Sequence, residues 1–381
     1  MIDLTTRYAG LTLRNPLIIA PAGITGTAEL VLRAEDAGAG AVVMKSLFEN
    51  PIPRSGDPSP HMRLIERRIG RYWATTFYSY EQCSPFDEFR YAEEIRRAKE
   101  GVEIPVIASL DCVTEEGWVR YARLIEQAGA DAVEIKSCPH GLHQMSGEEL
   151  TEATSIVREV SQLPVIPKLL PQNTNPLHTV LDLERAGADG VVMFNRFSGV
   201  DIDLDAERPI MHRGYAGHGG PWSIYYCLRW IATTYPHLCI PISGSGGVWE
   251  GSDLVKYILA GATTVQACSA VCLQGYEIVP KLLRGLREWM ERKGYSSPAE
   301  FRGRAAERVL GLEEIDRRRL LRAGIDAGTC TGCDLCRRVC IYFGIEAEPE
   351  YHVIAEKCVG CGLCREVCPV GAIEMVGQTG D

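Results

Sequence analysis

Residues 126–136 read EQAGADAVEIK, and the fold turns on this stretch. Its first residues close a helical pattern over 114–128, in which Trp118, Ala122 and Ile125 share one face. Gly129 follows, where a helix ends on a residue able to turn left-handed. The branched, apolar run Ala132–Lys136 behind it reads as a strand buried on both faces of a parallel sheet. The same joint recurs as EDAGAGAVVMK (35–45), ERAGADGVVMF (184–194) and LAGATTVQAC (259–268). Four copies imply repeated αβ units.

Runs without the joint bring the strand count to eight: Leu17–Ala20, Ala41–Lys45, Val106–Ser109, Ala132–Lys136, Val165–Leu169, Gly190–Phe194, Ile240–Gly244 and Thr264–Cys268. Eight such strands with intervening helices over about 270 residues predict an α/β chain folded as a (β/α)8 TIM barrel. An open doubly wound sheet is the alternative. Residues 3–15 read as a hairpin closing the barrel bottom. Ser146 and Glu149 have the spacing of a capping box that opens a helix. The segment 46–103 is too long for a simple loop and is expected to cover the barrel mouth. A charged amphipathic helix over 277–295 ends the barrel, so the expected domains are 1–295, an arginine- and glutamate-rich linker 296–328, and a small module 329–381.

That module carries C-x2-C-x2-C-x3-C twice: Cys330, Cys333, Cys336, Cys340, then Cys358, Cys361, Cys364, Cys368. Thiolates at this spacing wrap [4Fe–4S] cubes, three from one run and the fourth from the other. The expected sets are Cys330, Cys333, Cys336 with Cys368, and Cys358, Cys361, Cys364 with Cys340, in a small α+β ferredoxin-like domain. Zinc is the alternative, although zinc sites usually arrange cysteines as two separated pairs. Pro369 follows the last cysteine as in bacterial ferredoxin runs; Ile341 stands at that place in the first copy.

The chain has 381 residues, 46% hydrophobic and 24% charged, with a net charge of −10, which excludes nucleic acid and anionic membrane as main partners. Eight of its 15 cysteines belong to the cluster motifs and the rest are scattered, which fits a reducing cytoplasm better than a disulfide framework. MIDLTTRYAG has neither the basic nor the apolar region of a secretory signal. No run reaches the roughly 18 apolar residues of a spanning helix.

In a barrel the chemistry sits at the C-terminal strand ends. Those ends carry Lys45, Ser109, Ser137–Cys138, Lys168, Asn195, the Ser245–Gly247 turn and Cys268–Ser269. Gly246 and Gly247, ahead of a helix, suit a phosphate, or form only a tight turn. Lys45 and Lys168 on buried strands need an anion or carbonyl partner. A flavin, negative when reduced, answers this and converts the clusters' single electrons into pairs. Cys138, in the loop Ser137-Cys138-Pro139-His140-Gly141, is a candidate proton donor or acceptor, with a buried packing thiol as the alternative.

Together these residues resemble the class 1 dihydroorotate dehydrogenase family. More closely, they resemble the C-terminal half of dihydropyrimidine dehydrogenase and the iron–sulfur subunit of its bacterial two-subunit counterpart. The likeness runs through YAGLTLRNPLIIAPAG (8–23), MKS (44–46), SCPHG (137–141), PKL (167–169), NRFSG (195–199), SGSGG (243–247), GYSSPAEFRG (294–303) and both cluster motifs. It implies FMN in the barrel, flanked by Ala22 and Gly23, with Lys45, Ser46, Ser109 and Lys168 around the ring. Gly246, Gly247, Cys268 and Ser269 fall at its phosphate side, with Gly219 and Gly220 where the family's glycine pair stands. It implies Cys138 as acid/base, with Ser137, His140 and Asn195 facing substrate. It also implies an NAD(P)H- and FAD-binding partner or a ferredoxin as electron donor, and a homodimer.

Departures from the family pattern bear on the substrate. Ile135 and Lys136 stand where an asparagine precedes the loop cysteine, Thr75-Thr76-Phe77-Tyr78 replaces an asparagine- and glutamate-bearing segment, and Arg196 replaces a threonine. Ile135, Lys136, Thr76 and Arg196 thus join the candidate substrate residues. Without amide readers a pyrimidine's polar edges stay unpaired, so a different small cyclic substrate with a reducible C=C bond is expected. Arg196 admits a carboxylate or makes a surface ion pair. The alternative function is an electron-transfer subunit with flavin and clusters but no small-molecule substrate of its own.

Overall fold

All four repeat glycines adopt the left-handed backbone that the joint predicts. Gly38, Gly129, Gly187 and Gly261 have φ of +104, +90, +92 and +116°. Behind each, an amide turns back into the finished helix, as from Ala130 N to Ile125 O (3.2 Å) and Ala262 N to Tyr257 O (2.9 Å). This is the Schellman termination. The computed structural model describes residues 2–49, 62–69, 72–79, 86–136, 146–210, 216–311, 313–315 and 321–377.

The strands are β1 (Leu17–Ile19), β2 (Ala41–Val43), β3 (Val106–Asp111), β4 (Ala132–Lys136), β5 (Val165–Leu169), β6 (Val191–Met193), β7 (Ile242–Ser245) and β8 (Thr264–Ala267). Each pairs in parallel with its chain neighbours, and β8 pairs back onto β1. The barrel is closed, so the open-sheet alternative falls. The helices are α1 (Ala28–Asp36), α2 (Glu88–Gly101), α3 (Glu115–Gln127), α4 (Gly147–Val160), α5 (Pro176–Arg185), α6 (Ile224–Thr234), α7 (Gly251–Leu259), α8 (Ser269–Gln274) and α9 (Ile278–Lys293). The Ser146 capping box forms: Glu149 N donates to Ser146 Oγ (3.1 Å) and Ser146 N to Glu149 Oε2 (2.6 Å). Among the described residues no helix is long and apolar enough to cross a membrane.

Strand periodicity sorts the core into two parts. Ile18, Ala41, Val43, Ile107, Ala132, Ile166 and Val192 point inward and pack on Tyr8, Ala9 and Leu13 of the antiparallel hairpin Thr6–Tyr8/Leu11–Leu13. That hairpin plugs the bottom, as expected. The alternate residues, such as Val133, Ile135, Val165 and Val191, face the helices in a larger core.

The described residues of segment 46–103 form regular elements. It holds α2, whose Tyr91, Ala92, Ile95 and Ala98 are buried, and the antiparallel pair Met62–Ile69/Tyr72–Ser79. The second strand of that pair joins Ala216–Gly219, which pairs with Phe197–Gly199, giving a four-stranded antiparallel sheet.

The chain divides into two compact units, Met1–Val309 and Leu310–Asp381. The stretch 296–328 is therefore split rather than being a linker throughout. Phe301 is fully buried in the barrel unit, against Trp289 and Tyr295. Gly303 N and Ala305 N donate to Ile258 O and Leu259 O, both at 2.9 Å. Its charged composition hid that anchor. In the second unit Leu321–Ile325 pairs antiparallel with Ile373–Gly377, and short helices Leu335–Val339 and Leu363–Val367 follow equivalent cysteines.

Candidate active site

Above the apolar layer the inward positions turn polar. Lys168 on β5 is 3% exposed and Glu134 on β4 is 1% exposed. Lys168 Nζ donates to Glu134 Oε1 (3.3 Å) and Gln266 Oε1 (2.6 Å), while Gln266 Nε2 donates to Glu134 Oε2 (2.7 Å). Three side chains from β4, β5 and β8 thus satisfy one another inside the barrel. Burial lowers the Lys168 pKa, and the Glu134 carboxylate works against that shift.

This network floors an open cavity at the C-terminal strand ends. Of the expected residues, Ala22, Lys45, Ser46, Lys136, Lys168, Asn195, Arg196, Gly219, Gly220, Gly246, Gly247, Cys268 and Ser269 line it. Gly246 and Gly247 turn left-handed, with φ of +115 and +68°. A methyl group on Gly219 would stand 3.1 Å from Ser269 Oγ, and one on Gly246 2.9 Å from Cys227 Sγ. Gly246 and Gly247 after β7, with Gly219 and Gly220, thus bring backbone without side chains to the cavity wall, and the packing behind them leaves no room for a Cβ at Gly246 or Gly247. A second concavity lies at the opposite end, by Arg7, Asp189 and Arg302. Barrel chemistry is not built there.

Four expected residues fall elsewhere. Ile135 points outward into the helix-facing core, because alternation along β4 turns Glu134 and Lys136 inward. Thr76 accepts from Trp222 Nε1 (3.2 Å), while its neighbour Phe77 faces the cavity. Ser109 lies just behind the wall, its hydroxyl 2.7 Å from that of Ser46. Gly23 opens the short turn Gly23–Thr25 beside the lining residue Ala22. Ser137, Cys138 and His140 lie outside the described residues.

Other lining residues were not among the expected site residues. Phe48, Phe194 and Phe197 form apolar walls, and Gly217 and His218 arrive on the strand Ala216–Gly219. Lys136 Nζ sits 5.3 Å from the centre of the Phe48 ring. His218 has its pKa lowered by burial and by Arg196, against the pull of Asp201. Cys227 also lines the cavity, but burial pushes its thiol up to about 12 and it donates to Ser245 O (3.1 Å). It is no acid–base group at neutral pH.

The cysteine unit has its own pocket. Cys330, Cys333, Cys336 and Cys368 line one space with Tyr351 and Ile373. Cys364 lies within electrostatic reach of Cys358 and Cys361. Matched amides point at the fourth sulfur of each run: Gly344 N to Cys340 Sγ and Ala372 N to Cys368 Sγ, both 3.2 Å.

Comparison with known proteins agrees with this division. The dihydroorotate dehydrogenase family matches residues 3–290, and a 4Fe-4S dicluster domain matches 323–375. The catalytic subunit of dihydroorotate dehydrogenase B (NAD(+)) from Pyrococcus furiosus is 34% identical over 302 residues, 78% of this chain and 96% of its own. The chain belongs to the dihydroorotate dehydrogenase family. Another relative, the NAD-dependent dihydropyrimidine dehydrogenase subunit PreA of Escherichia coli, is 30% identical over 365 residues, 91% of this chain and 87% of its own. As a member of this family the protein is an oxidoreductase acting on CH–CH bonds, with a barrel joined to a 4Fe-4S domain.

Proposed function

We propose that the protein binds FMN in the barrel cavity and two [4Fe–4S] clusters in the C-terminal unit, and interconverts a C=C and a CH–CH bond of a small cyclic substrate. The observation that carries this reading is the cavity itself. A bare-backbone cradle at Gly246, Gly247 and Gly219 opens beside the buried Lys168, on a chain with eight cluster-spaced cysteines. The cradle suits the cofactor's phosphate because glycine lets amides approach an anion. Lys168 and Lys45 suit a ring that gains negative charge on reduction. When bound, the flavin exchanges electron pairs with substrate and single electrons with the clusters.

The chain's own residues do the rest. Glu134 and Gln266 hold Lys168 at the cavity floor, and the phenylalanine walls exclude water and keep a flat ring in place. Cys138 moves the proton at one carbon of the reacting bond while its neighbour exchanges hydride. Cys330, Cys333, Cys336 and Cys368 hold one cluster; Cys358, Cys361, Cys364 and Cys340 hold the other. A partner subunit that binds a nicotinamide nucleotide, as the names of the relatives suggest, is the electron source.

Replacing Cys138 with Ala should leave bound flavin intact and slow turnover by roughly 10²- to 10⁴-fold, the usual loss for a general acid. Near-normal turnover would remove that role. Holoprotein reduced without oxygen should be reoxidised by a cyclic alkene. If no alkene does so, the electron-transfer-subunit reading replaces this one.

A further inference from the structure

We infer that the two clusters differ in reduction potential, and that Tyr351 makes the difference by shielding the one held by Cys330, Cys333, Cys336 and Cys368, which takes the lower value. This rests on the two-cluster reading above and concerns how electrons are shared within it.

The C-terminal unit is built from two copies of one backbone. Ile325 registers with Ile373 in the longer strand pair, and Val353 with Ile345 in the short antiparallel pair Ile345–Glu346/His352–Val353. Asp326 N donates to Ala372 O (2.8 Å) and Ile354 N to Gly344 O (2.9 Å). Cys330 N then donates to Asp326 O (3.0 Å) and Cys358 N to Ile354 O (3.1 Å). Residues 323–344 therefore correspond to 351–372 position by position.

The potential of a cluster follows its type, the charge around it, hydrogen bonds to its sulfurs and its exposure to water. Equal cysteine spacing makes the type the same. Charge cancels in each copy: Asp326 and Asp334 stand with Arg337 and Arg338 over 326–344, and Glu356 and Glu366 with Lys357 and Arg365 over 354–372. Hydrogen bonds match as well. The amides of Gly344 and Ala372 reach Cys340 and Cys368 at the same 3.2 Å, and those of Arg337 and Arg365 serve Cys336 and Cys364. Exposure is what remains.

Here the copies part. Tyr351 lines the space that the first four cysteines enclose. Its hydroxyl donates to Asp334 Oδ1 (3.0 Å), with Gly332 O at 3.4 Å, and Arg337 and Arg338 anchor Asp334 in turn. A phenol has one proton to give, and this one is spent, so the cluster meets a ring rather than a donor. The corresponding residues of the second copy are Ala323 and Gly362. A methyl group on Gly332 would meet the Tyr351 ring at 3.8 Å, whereas on Gly360 it would meet the carbonyl of Leu321 and on Gly362 nothing within 4 Å. One cluster is covered by a hydrocarbon ring, the other by a polar peptide beside open space.

A cluster held by four thiolates is an anion, and reduction adds one electron with no bond made or broken. Surroundings that withhold water disfavour the more highly charged form. The ring-covered cluster is thus the harder one to reduce, and in partly reduced protein the electron rests on the cluster of Cys358, Cys361, Cys364 and Cys340.

The test is a mediated potentiometric titration of the anaerobic holoprotein, full chain, with dithionite as reductant and electron paramagnetic resonance as readout. The wild type should show two midpoints, separated by roughly tenfold in reduction constant, about 59 mV for a one-electron couple. Tyr351→Ala should raise the lower midpoint towards the upper one, and Tyr351→Phe, which keeps the ring, should leave it low. Ala323→Tyr should lower the upper midpoint. One shared midpoint in the wild type, or a lower midpoint unmoved by Tyr351→Ala, would overturn the inference. If Tyr351→Ala loses iron, Ala323→Tyr decides alone, and an unmoved upper midpoint overturns it. Metal content separates this inference from the reading beneath it. Iron for two cubes with equal midpoints leaves the two-cluster reading standing and this inference refuted, whereas iron for one cube, or zinc, refutes the two-cluster reading itself.

Discussion

At the scale of single residues, the buried Lys168–Glu134 pair is the most consequential arrangement. Removing one partner of such a pair leaves a charge without compensation and costs about 3–5 kcal/mol. Glu134→Gln should therefore destabilise the barrel by that order in urea denaturation, and Glu134→Gln with Lys168→Met should recover much of the loss. A single variant as stable as the wild type would show that Gln266 alone supports the ammonium. His218 supplies a pH dependence. Its pKa in the fold lies below the ordinary 6.5, so in that window the unfolded chain binds more protons. Stability should rise with pH across the window and fall as pH drops below about 6.5. His218→Gln should flatten the acid limb of a Tm-against-pH curve; an unchanged limb would place the titration elsewhere.

At the scale of elements, the glycine joints and the cysteine repeat make sharper predictions. Gly129 and Gly261 share a left-handed φ but not surroundings. Around Gly129 a methyl group meets nothing within 4 Å, whereas on Gly261 it would overlap Tyr235. Gly129→Ala should cost about 1–2 kcal/mol of backbone strain. Gly261→Ala should cost clearly more, and equal losses by denaturation would mean that Tyr235 gives way freely. The two cysteine runs differ at equivalent turns. Gly362 and Gly371 are left-handed in the second copy, where the first has Asp334 (φ +67°) and Phe343 (φ +51°). Asp334 is tied down by Arg337 (2.6 Å), Arg338 (3.2 Å) and Tyr351 (3.0 Å). Phe343 is 77% exposed, so core packing does not offset its strain. Phe343→Gly should raise the melting point of the cluster unit, followed by visible absorbance. A lower one would show that the ring holds the unit together.

For the whole molecule, the contrast between the two cores matters most. The barrel unit has an extensive buried core, whereas that of the C-terminal unit is Ala323, Ile345 and Ile373 around Cys336 and Cys364. A core that small needs its metal, because binding energy is folding energy in such units. Removing iron with a chelator should abolish the C-terminal transition in calorimetry and leave the barrel transition in place. Much of this was legible from sequence. Helix–glycine–strand joints and cysteine spacings are local patterns, so period and offset alone fix the barrel strands and cluster motifs. Alternation along β4 already turns Glu134 and Lys136 inward, a signal that placing Ile135 at the substrate overlooked. Gly217 and His218 gave no such signal, and Phe197 only as part of the NRFSG motif. Gly217 and His218 reach the strand ends through a pairing across more than a hundred residues, as of Phe77 with Gly219, and Phe197 through its pairing with His218 about twenty residues on. Sequence by itself therefore determined the architecture and the electron-carrying chemistry, because both follow from short-range geometry. Tertiary structure alone decided that Phe48, Phe194, Gly217 and His218 join the expected cations and glycines around the cavity, because their place there depends on packing and on strand pairing between distant segments.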